Sequence, residues 1–346
     1  MRLDVVTENP IESLARMLGL LPTGSVKVVW GFAMARTLTA AVEIGVFPAL
    51  KDGALSSTVL AERLACDPEG MRTLCAALNA FGLLTRQDDV FTLTPEARRY
   101  YTDAHGSDLS ETLRFGLVLD EKLRGLAQAV KTGKKELFHE NLKEHEWNAY
   151  LGGLGAMATV IATEVVRKLK LKNPSRLLDV AGGHGGFSKT MCVKYPALNA
   201  TILDLPQGVV VGERLLAGHA ARARIAFVAG DLRTTSWGDG YDVVFLFNIL
   251  HNLVADDAKH AVAQAHAALA PEGTLVILEG QHAGGRGNLS FQEGFGELLF
   301  HVLSASMTWP ESTLREWMHE AGFAKAKKQS LFTLPGGVLL SAKKST

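Results

Sequence analysis

The sequence predicts an α/β protein in which an open, doubly wound, mostly parallel sheet follows a mainly helical N-terminal region. Three observations predict it. From Pro174 onward, apolar strand-like runs alternate with helical segments. The first run, Leu177-Leu178-Asp179-Val180, leads into the glycine-rich turn Ala181-Gly182-Gly183-His184-Gly185-Gly186 and then a helix start. Before about residue 170 that alternation is missing, and apolar residues recur at three- and four-residue spacing instead. At 346 residues the chain is long for one core, so two domains are expected.

In residues 26–50 the apolar positions fall on more than one face, so this helix needs more than one neighbour, and a second subunit would supply one. Residues 56–64 form a serine-capped helix start, and residues 68–83 an amphipathic helix ended by Gly82. Residues 84–94 read as two short strands around a polar turn. Helix, helix and hairpin in that order make a winged-helix-like unit. Its second helix offers Arg72 as its one base among Met71, Leu74, Cys75, Ala76, Ala77 and Leu78. Phosphate contacts need clustered Lys and Arg, so a structural or dimerising role is expected rather than nucleic-acid binding. A further helical stretch over residues 109–169 carries Trp147 and Met157. Strands are expected at 176–180, 199–204, 224–229, 241–247 and 273–279, and a closing hairpin at 323–330 and 338–342. The division that follows is 1–105 (helical, winged-helix-like), 106–173 (helical linker and pocket region) and 174–346 (the α/β domain).

Lys+Arg and Asp+Glu both total 36, so overall charge favours neither a nucleic acid nor an anionic membrane. Cys66, Cys75 and Cys192 are scattered thiols without a CxxC, which suits a reducing compartment. Asp4 and Glu8 stand where a signal peptide would need its apolar stretch, and no uncharged run approaches a membrane span. A cytoplasmic protein is expected.

The glycine turn brings backbone close to a nucleotide-like ligand, and the question is which one. Counted from Gly183, a dinucleotide fingerprint requires glycine where Ser188 stands. Asp204, in Thr201-Ile202-Leu203-Asp204-Leu205-Pro206, ends the second strand, where a carboxylate can take both ribose hydroxyls. That alone leaves a nicotinamide cofactor open. Asp231, in Gly230-Asp231-Leu232, follows the third strand, placed to accept from an adenine amino group with Leu232 as an apolar floor. Three strand-end acids beside one glycine turn suit a cationic nucleoside without phosphates, and S-adenosylmethionine is such a molecule.

Here the chain resembles the S-adenosylmethionine-dependent small-molecule O-methyltransferases of the caffeate and antibiotic type. The resemblance rests on Asp179-Val180-Ala181-Gly182-Gly183-His184-Gly185, Asp204-Leu205-Pro206, Gly230-Asp231-Leu232 and Asn248-Ile249-Leu250-His251-Asn252-Leu253. It continues in Leu275-Val276-Ile277-Leu278-Glu279, in Glu311-Ser312-Thr313 and in Ala321-Gly322-Phe323, so it covers nearly the whole chain. It implies a Rossmann-like class I methyltransferase domain with a seven-stranded, mostly parallel sheet, behind an N-terminal winged-helix-like domain that forms a homodimer. It also implies S-adenosyl-L-methionine as cofactor, held by Asp179, Ala181, Gly182, Gly183, Gly185, Asp204, Leu205, Gly230, Asp231, Leu232, Phe247 and Asn248. His184, inside the turn, reads as a spacer rather than a catalyst.

Methylating a phenol requires its proton to leave as the new bond forms, and an imidazole has a suitable pKa for taking it. The resemblance assigns that base to His251, just past the fourth strand, with Glu279 orienting it and Glu311 as a second flanking acid. A carboxylate on one ring nitrogen fixes the tautomer and stabilises the imidazolium. A lone histidine after a strand is otherwise a polar loop residue, and an acid opening a helix otherwise answers the dipole. Four departures leave the acceptor open: Ala181 for a glycine, Phe247 for a lysine of plant members, Asn252 for an aspartate and Leu253 for a tryptophan. The acceptor pocket is expected between the helices before Pro174 and residues 294–309, with apolar walls drawn from Phe291, Phe295 and Trp309. Trp147, Met157, Asn252, Phe300 and Met307 are the expected acceptor contacts, for a small aromatic or polyketide-like natural product.

Three rivals stay open on sequence. A carbon methyltransferase of the same superfamily, with His251 and His301 as metal ligands, would carry bound metal, although two histidines without a third are weak evidence. A member that binds the nucleoside without transferring a methyl has no use for His251 and Glu279. A winged-helix regulator would bind DNA. No metal, nucleic acid or membrane is expected as partner.

Overall fold

The computed structural model describes residues 6–7, 9–103, 108–135, 137–280, 289–304 and 306–345. Asp4 and Glu8, on which the expectation of no signal peptide rested, lie outside the described residues. The chain divides into two compact units, residues 1–114 and 115–346.

The first unit holds α1 (Pro10–Met17), α2 (Thr23–Ile44), α3 (Val46–Ala49), β1 (Leu55–Ser56), α4 (Ser57–Arg63), α5 (Pro68–Ala80), β2 (Leu84–Gln87), β3 (Val90–Leu93) and α6 (Pro95–Tyr100). Side-chain caps start four of these helices: Asn9 accepts from the Glu12 amide, Ser56 from Val59, Asp67 from Gly70 and Thr94 from Ala97. Proline at the first helical position of α5 and α6 adds a preset φ. The strands form an antiparallel sheet in the order β1-β3-β2. The C-terminal half of α2 buries Leu38, Ala41 and Val42 in this unit's core. Its N-terminal half leaves Val28, Val29, Trp30 and Phe32 exposed at 72, 63, 63 and 59%. Four large apolar side chains in five residues are the mark of an interaction surface.

The unit boundary falls within α7 (Ser110–Leu123), and α8 (Leu126–Thr132) and α9 (Glu144–Lys168) follow. Then come β4 (Arg176–Val180), α10 (Gly186–Lys194), β5 (Asn199–Asp204), α11 (Pro206–Leu216), β6 (Ile225–Ala229), β7 (Tyr241–Phe247), α12 (Ala255–Ala268), β8 (Leu269–Glu279), α13 (Phe291–Leu303), α14 (Glu311–Glu320), β9 (Lys327–Gln329) and β10 (Val338–Lys343). The seven-stranded sheet runs β6-β5-β4-β7-β8-β10-β9, with β10 antiparallel to both neighbours and the other pairings parallel. The expected strand bounds hold for β4, β5 and β7. β8 begins earlier than expected, because Leu269 pairs with Tyr241 across a register irregularity before the regular ladder. β9 is shorter: Phe323 makes a single bridge to Lys344, and the Ala326 carbonyl accepts from Arg315 instead of extending the strand.

Successive residues of the strands point to opposite faces, and both faces are buried. Leu178, Val180, Val244 and Leu246 pack against Ala258, Ala261 and Val262 of α12 and Leu314 of α14. Leu177, Phe245, Val276 and Leu278 pack on the other side with Ala158 and Val165 of α9 and Met191 of α10. α9 is the one helix among the described residues with the length and apolar character of a membrane span, and its buried face belongs to this core. The chain leaves β4 toward β5 on one side, while β7 lies on the other, so β4 and β7 flank a topological switch point. Ligands of such sheets bind outside the carboxyl ends of the strands there.

Candidate active site

At the carboxyl end of β4, Asp179 is buried and its carboxylate accepts from Ser188 Oγ at 2.6 Å. Burial pushes its carboxyl up to about 7, opposed by the Ser188 bond and reinforced by the charge of Asp204. Ser188, noted in sequence as a missing glycine, thus has a positive role: it ties the start of α10 to the strand end. The turn between them is tight. A side chain at Gly182 would meet the Asp179 carboxylate at 2.5 Å. Ala181 nevertheless carries its methyl at φ 55°, a left-handed conformation, with its amide donating to Leu203 O at 2.7 Å. His184 Nδ1 accepts from the Gly186 amide at 2.9 Å, satisfying a donor at the start of α10. Burial holds that imidazole down at about 4.

Asp204 closes the turn from β5: one carboxylate oxygen accepts from the Gly183 amide at 2.7 Å and the other from Leu205 at 2.7 Å. Burial raises its carboxyl to about 6 against those two bonds. Among the described residues no Lys or Arg pairs with Asp179 or Asp204. Asp231 differs. Arg233 grips it with Nε at 3.0 Å and a second nitrogen at 2.5 Å, and that bond holds its carboxyl below the usual range. Asp231 is therefore an ion-paired acid in this structure, and the carboxylate expected to meet an adenine amino group already holds Arg233. Leu232 packs against the core, and Gly230 donates to Asp204 O at 2.8 Å. Phe247 is buried, stacked on Phe245 with centroids 4.2 Å apart and set edge-on to Phe187 at 4.8 Å, so where plant members have lysine this chain has core. Asn248 is exposed at φ 52°, a conformation asparagine tolerates.

Past β7 a short 3₁₀ turn, Leu250–Asn252, carries His251. Its Nδ1 lies 2.5 Å from one oxygen of Glu279, which ends β8; the other oxygen accepts from Ile249 and Leu250 amides at 3.1 and 2.8 Å. Glu279 is 1% exposed and His251 7%. The Phe300 ring lies on the imidazole with centroids 3.9 Å apart. The turn is further clasped by Trp309 Nε1 donating to Leu250 O at 2.8 Å and by Ser304 Oγ donating to Asn252 at 2.6 Å. His251, Glu279, Phe300 and Asn252 are thus brought together.

Glu311 is not among them. Its carboxylate is taken by Arg315 at 2.7 Å and Lys328 at 2.6 Å, so the second flanking acid read from sequence is an ion-pair centre at the start of α14. Met157 and Met307 are each 43% exposed, and Phe291 is 67% exposed, stacked on Phe295. Trp147 is buried with Leu151 and Val211. His301 faces Lys135 Nζ at 2.7 Å rather than His251, and no group of three His, Cys, Asp or Glu gathers among the described residues.

Sequence reading missed His139. Its Nε2 lies 3.1 Å from the Tyr150 hydroxyl, and the two rings sit among Phe138, Trp147 and Phe115. Burial lowers the His139 imidazole to about 4, with repulsion from His251 adding to it. Tyr150 is raised by burial and by the charge of Asp204. No motif spacing announces such a pair; the only signal is a polar ring in an aromatic stretch.

Comparison with known proteins bears on this geometry. The O-methyltransferase domain family matches residues 123–324, and the O-methyltransferase dimerisation domain family matches residues 26–103. Over 269 residues the chain is 29% identical to the 3-hydroxy-5-methyl-1-naphthoate 3-O-methyltransferase of Streptomyces sahachiroi, covering 75% of this chain and 77% of that one. It is 25% identical over 319 residues to the tetracenomycin polyketide synthesis 8-O-methyl transferase TcmO of Streptomyces glaucescens, covering 88% and 92%. Its fold is similar to that of human N-acetylserotonin methyltransferase in complex with SAM, with a TM-score of 0.81 at 20% identity over 99% of this chain and 100% of that one.

Proposed function

Because the chain belongs to the O-methyltransferase family, we propose that it transfers the methyl of S-adenosylmethionine to a hydroxyl of a small aromatic or polyketide-like natural product, with His251 as general base. The observation that carries this reading is the buried His251–Glu279 contact of 2.5 Å at the carboxyl end of the sheet. Glu279 accepts a hydrogen bond from Nδ1–H, which leaves Nε2 as the lone-pair nitrogen that takes the acceptor's hydroxyl proton, and the carboxylate offsets the imidazolium charge that results. Phe300 holds the ring plane. When bound, S-adenosylmethionine supplies the electrophilic methyl.

The donor set fits that cofactor. Asp179 and Asp204 are neighbouring acids with raised affinity for protons and, among the described residues, no basic side-chain partner, which suits a cationic ligand. Gly183, Ala181, Gly182, Gly185, Leu205, Gly230, Leu232 and Asn248 would complete the cradle, with Asp231 contributing if Arg233 yields. Naphthoate and polyketide acceptors in the names of relatives support a flat, oxygenated acceptor. The exposed apolar stretch of α2 lies inside the matched dimerisation domain and supports a homodimer, and three free thiols support a cytoplasmic setting.

The test is calorimetric titration with S-adenosylhomocysteine, with NADH as the control, followed by methyl transfer to phenolic acceptors. Selective micromolar binding and phenolic methyl transfer are expected; preference for NADH would overturn the reading.

A pH dependence follows from these two acids. Both folded-state values, about 7 and about 6, lie above the ordinary 3.8, so the native protein holds protons that the unfolded chain releases. Their contribution to stability is therefore full below about pH 4 and is lost as pH rises through about 6 and about 7. A bound sulfonium favours the ionised carboxylates and reverses the trend. S-adenosylmethionine affinity should rise about tenfold or more between about pH 5 and about pH 8 while the cofactor-free melting temperature falls. Equal affinity across that range would show that neither acid faces the cation.

A further inference from the structure

We propose that His139 and Tyr150 form the polar recognition element of the acceptor pocket, binding a second oxygen substituent on the ring whose hydroxyl is methylated. The proposal rests on the O-methyltransferase reading above.

The pair lies along the strip between the cofactor turn and the base. On one side Tyr150 meets Trp147 ring to ring at 5.8 Å and, like Leu205, packs on the cluster of Trp147, Leu151 and Val211; Leu151 is the residue that a side chain at Gly183 would strike at 2.8 Å. On the other side Tyr150 meets Phe138 ring to ring at 5.2 Å and packs on the cluster that includes Val302 of α13, the helix whose Phe300 covers His251. The interaction of His139 with His251, and of Tyr150 with Asp204, places the pair within electrostatic reach of both halves of the site. Taken as whole side chains, both residues are half-buried.

Their hydrogen-bonding arithmetic is specific. His139 is neutral at ordinary pH, so its ring carries one donor and one acceptor, and the tyrosine hydroxyl carries one donor. If the hydroxyl donates to Nε2 across the 3.1 Å contact, the ring keeps an N–H and the phenol oxygen a lone pair. If Nε2 donates, the hydroxyl keeps its proton and Nδ1 its lone pair. Either way one donor and one acceptor remain among aromatic walls that can satisfy neither. A carbonyl or hydroxyl on a flat ring supplies the partner. An acceptor lacking that oxygen leaves the pair unsatisfied, and sites of this kind discriminate strongly against the missing group.

The test uses full-length protein saturated with S-adenosylhomocysteine and titrated with 2-naphthol and with the isomeric dihydroxynaphthalenes. At least one dihydroxy isomer should bind about 10- to 100-fold tighter than 2-naphthol. Tyr150→Phe, which keeps the ring, and His139→Phe should each remove that gain, and the double variant should remove no more. Affinity for 2-naphthol and S-adenosylhomocysteine should stay unchanged in Tyr150→Phe. The proposal is overturned if no isomer gains over 2-naphthol, if Tyr150→Phe keeps the gain, or if it weakens both compounds equally. Methyl transfer to the same compounds is a separate readout: its absence beside intact selective binding would overturn the proposed reaction and not the role of the pair.

Discussion

His251→Ala is expected to lower methyl transfer about 10²- to 10⁴-fold while S-adenosylhomocysteine still binds with near wild-type affinity. The base and the cofactor turn sit on different strands: His251 follows β7, whereas Asp179 and Asp204 end β4 and β5. Removing the imidazole takes away the proton acceptor without touching the turn. It also leaves one oxygen of Glu279, itself 1% exposed, without its partner, so some stability is lost as well. Activity loss alone would therefore not separate a base from a packing residue. The acceptor's own acidity does. A nitrophenol already ionised at the assay pH needs no base, and its methylation should be nearly spared in His251→Ala; a phenol still protonated should bear the full loss. Equal losses for the two acceptors would remove proton transfer from the role of His251.

The contrast between strand ends and side-chain partners marks what a single sequence discloses here. The strands of the α/β sheet were legible because burial on both faces writes them as continuous apolar runs, as in Tyr241–Phe247. The glycine turn was legible for a local reason too, since few residues other than glycine fit beside the Asp179 carboxylate. His251 and Glu279 lie 28 residues apart, and only the strand order β7-β8 puts their side chains in contact, so their pairing came from resemblance. Glu311 shows the limit. Its neighbour Arg315 is one helical turn on, but Lys328 arrives from β9, and together they hold its carboxylate. Arg233, two residues from Asp231, had the same effect at the expected adenine contact. Spacing in sequence says where an acid stands and not which cation reaches it first. His139 and Tyr150 stayed silent because aromatic packing, not periodicity, joins them.

Glu279→Gln and Glu279→Ala should separate two jobs that one carboxylate performs. The wild-type side chain accepts three bonds: from Ile249 and Leu250 amides at 3.1 and 2.8 Å, and from His251 Nδ1 at 2.5 Å. Glutamine keeps an oxygen for the two amides, so the 3₁₀ turn should hold its shape. Its amide nitrogen then faces Nδ1 as a donor, and the ring answers by carrying its proton on Nε2. The nitrogen aimed at the acceptor hydroxyl is now a donor and no longer a base. Turnover should fall about 10³- to 10⁴-fold, as when a base is held in the wrong tautomer, while melting temperature and S-adenosylhomocysteine affinity change little. Alanine should lose comparable activity and also strand three donors in a buried site, at roughly 1–3 kcal/mol for each that water cannot reach. A melting temperature well below that of Glu279→Gln is the expected sign. If Glu279→Gln stays within tenfold of wild-type turnover, the tautomer of His251 is not set by Glu279, and the contact serves only to anchor the turn.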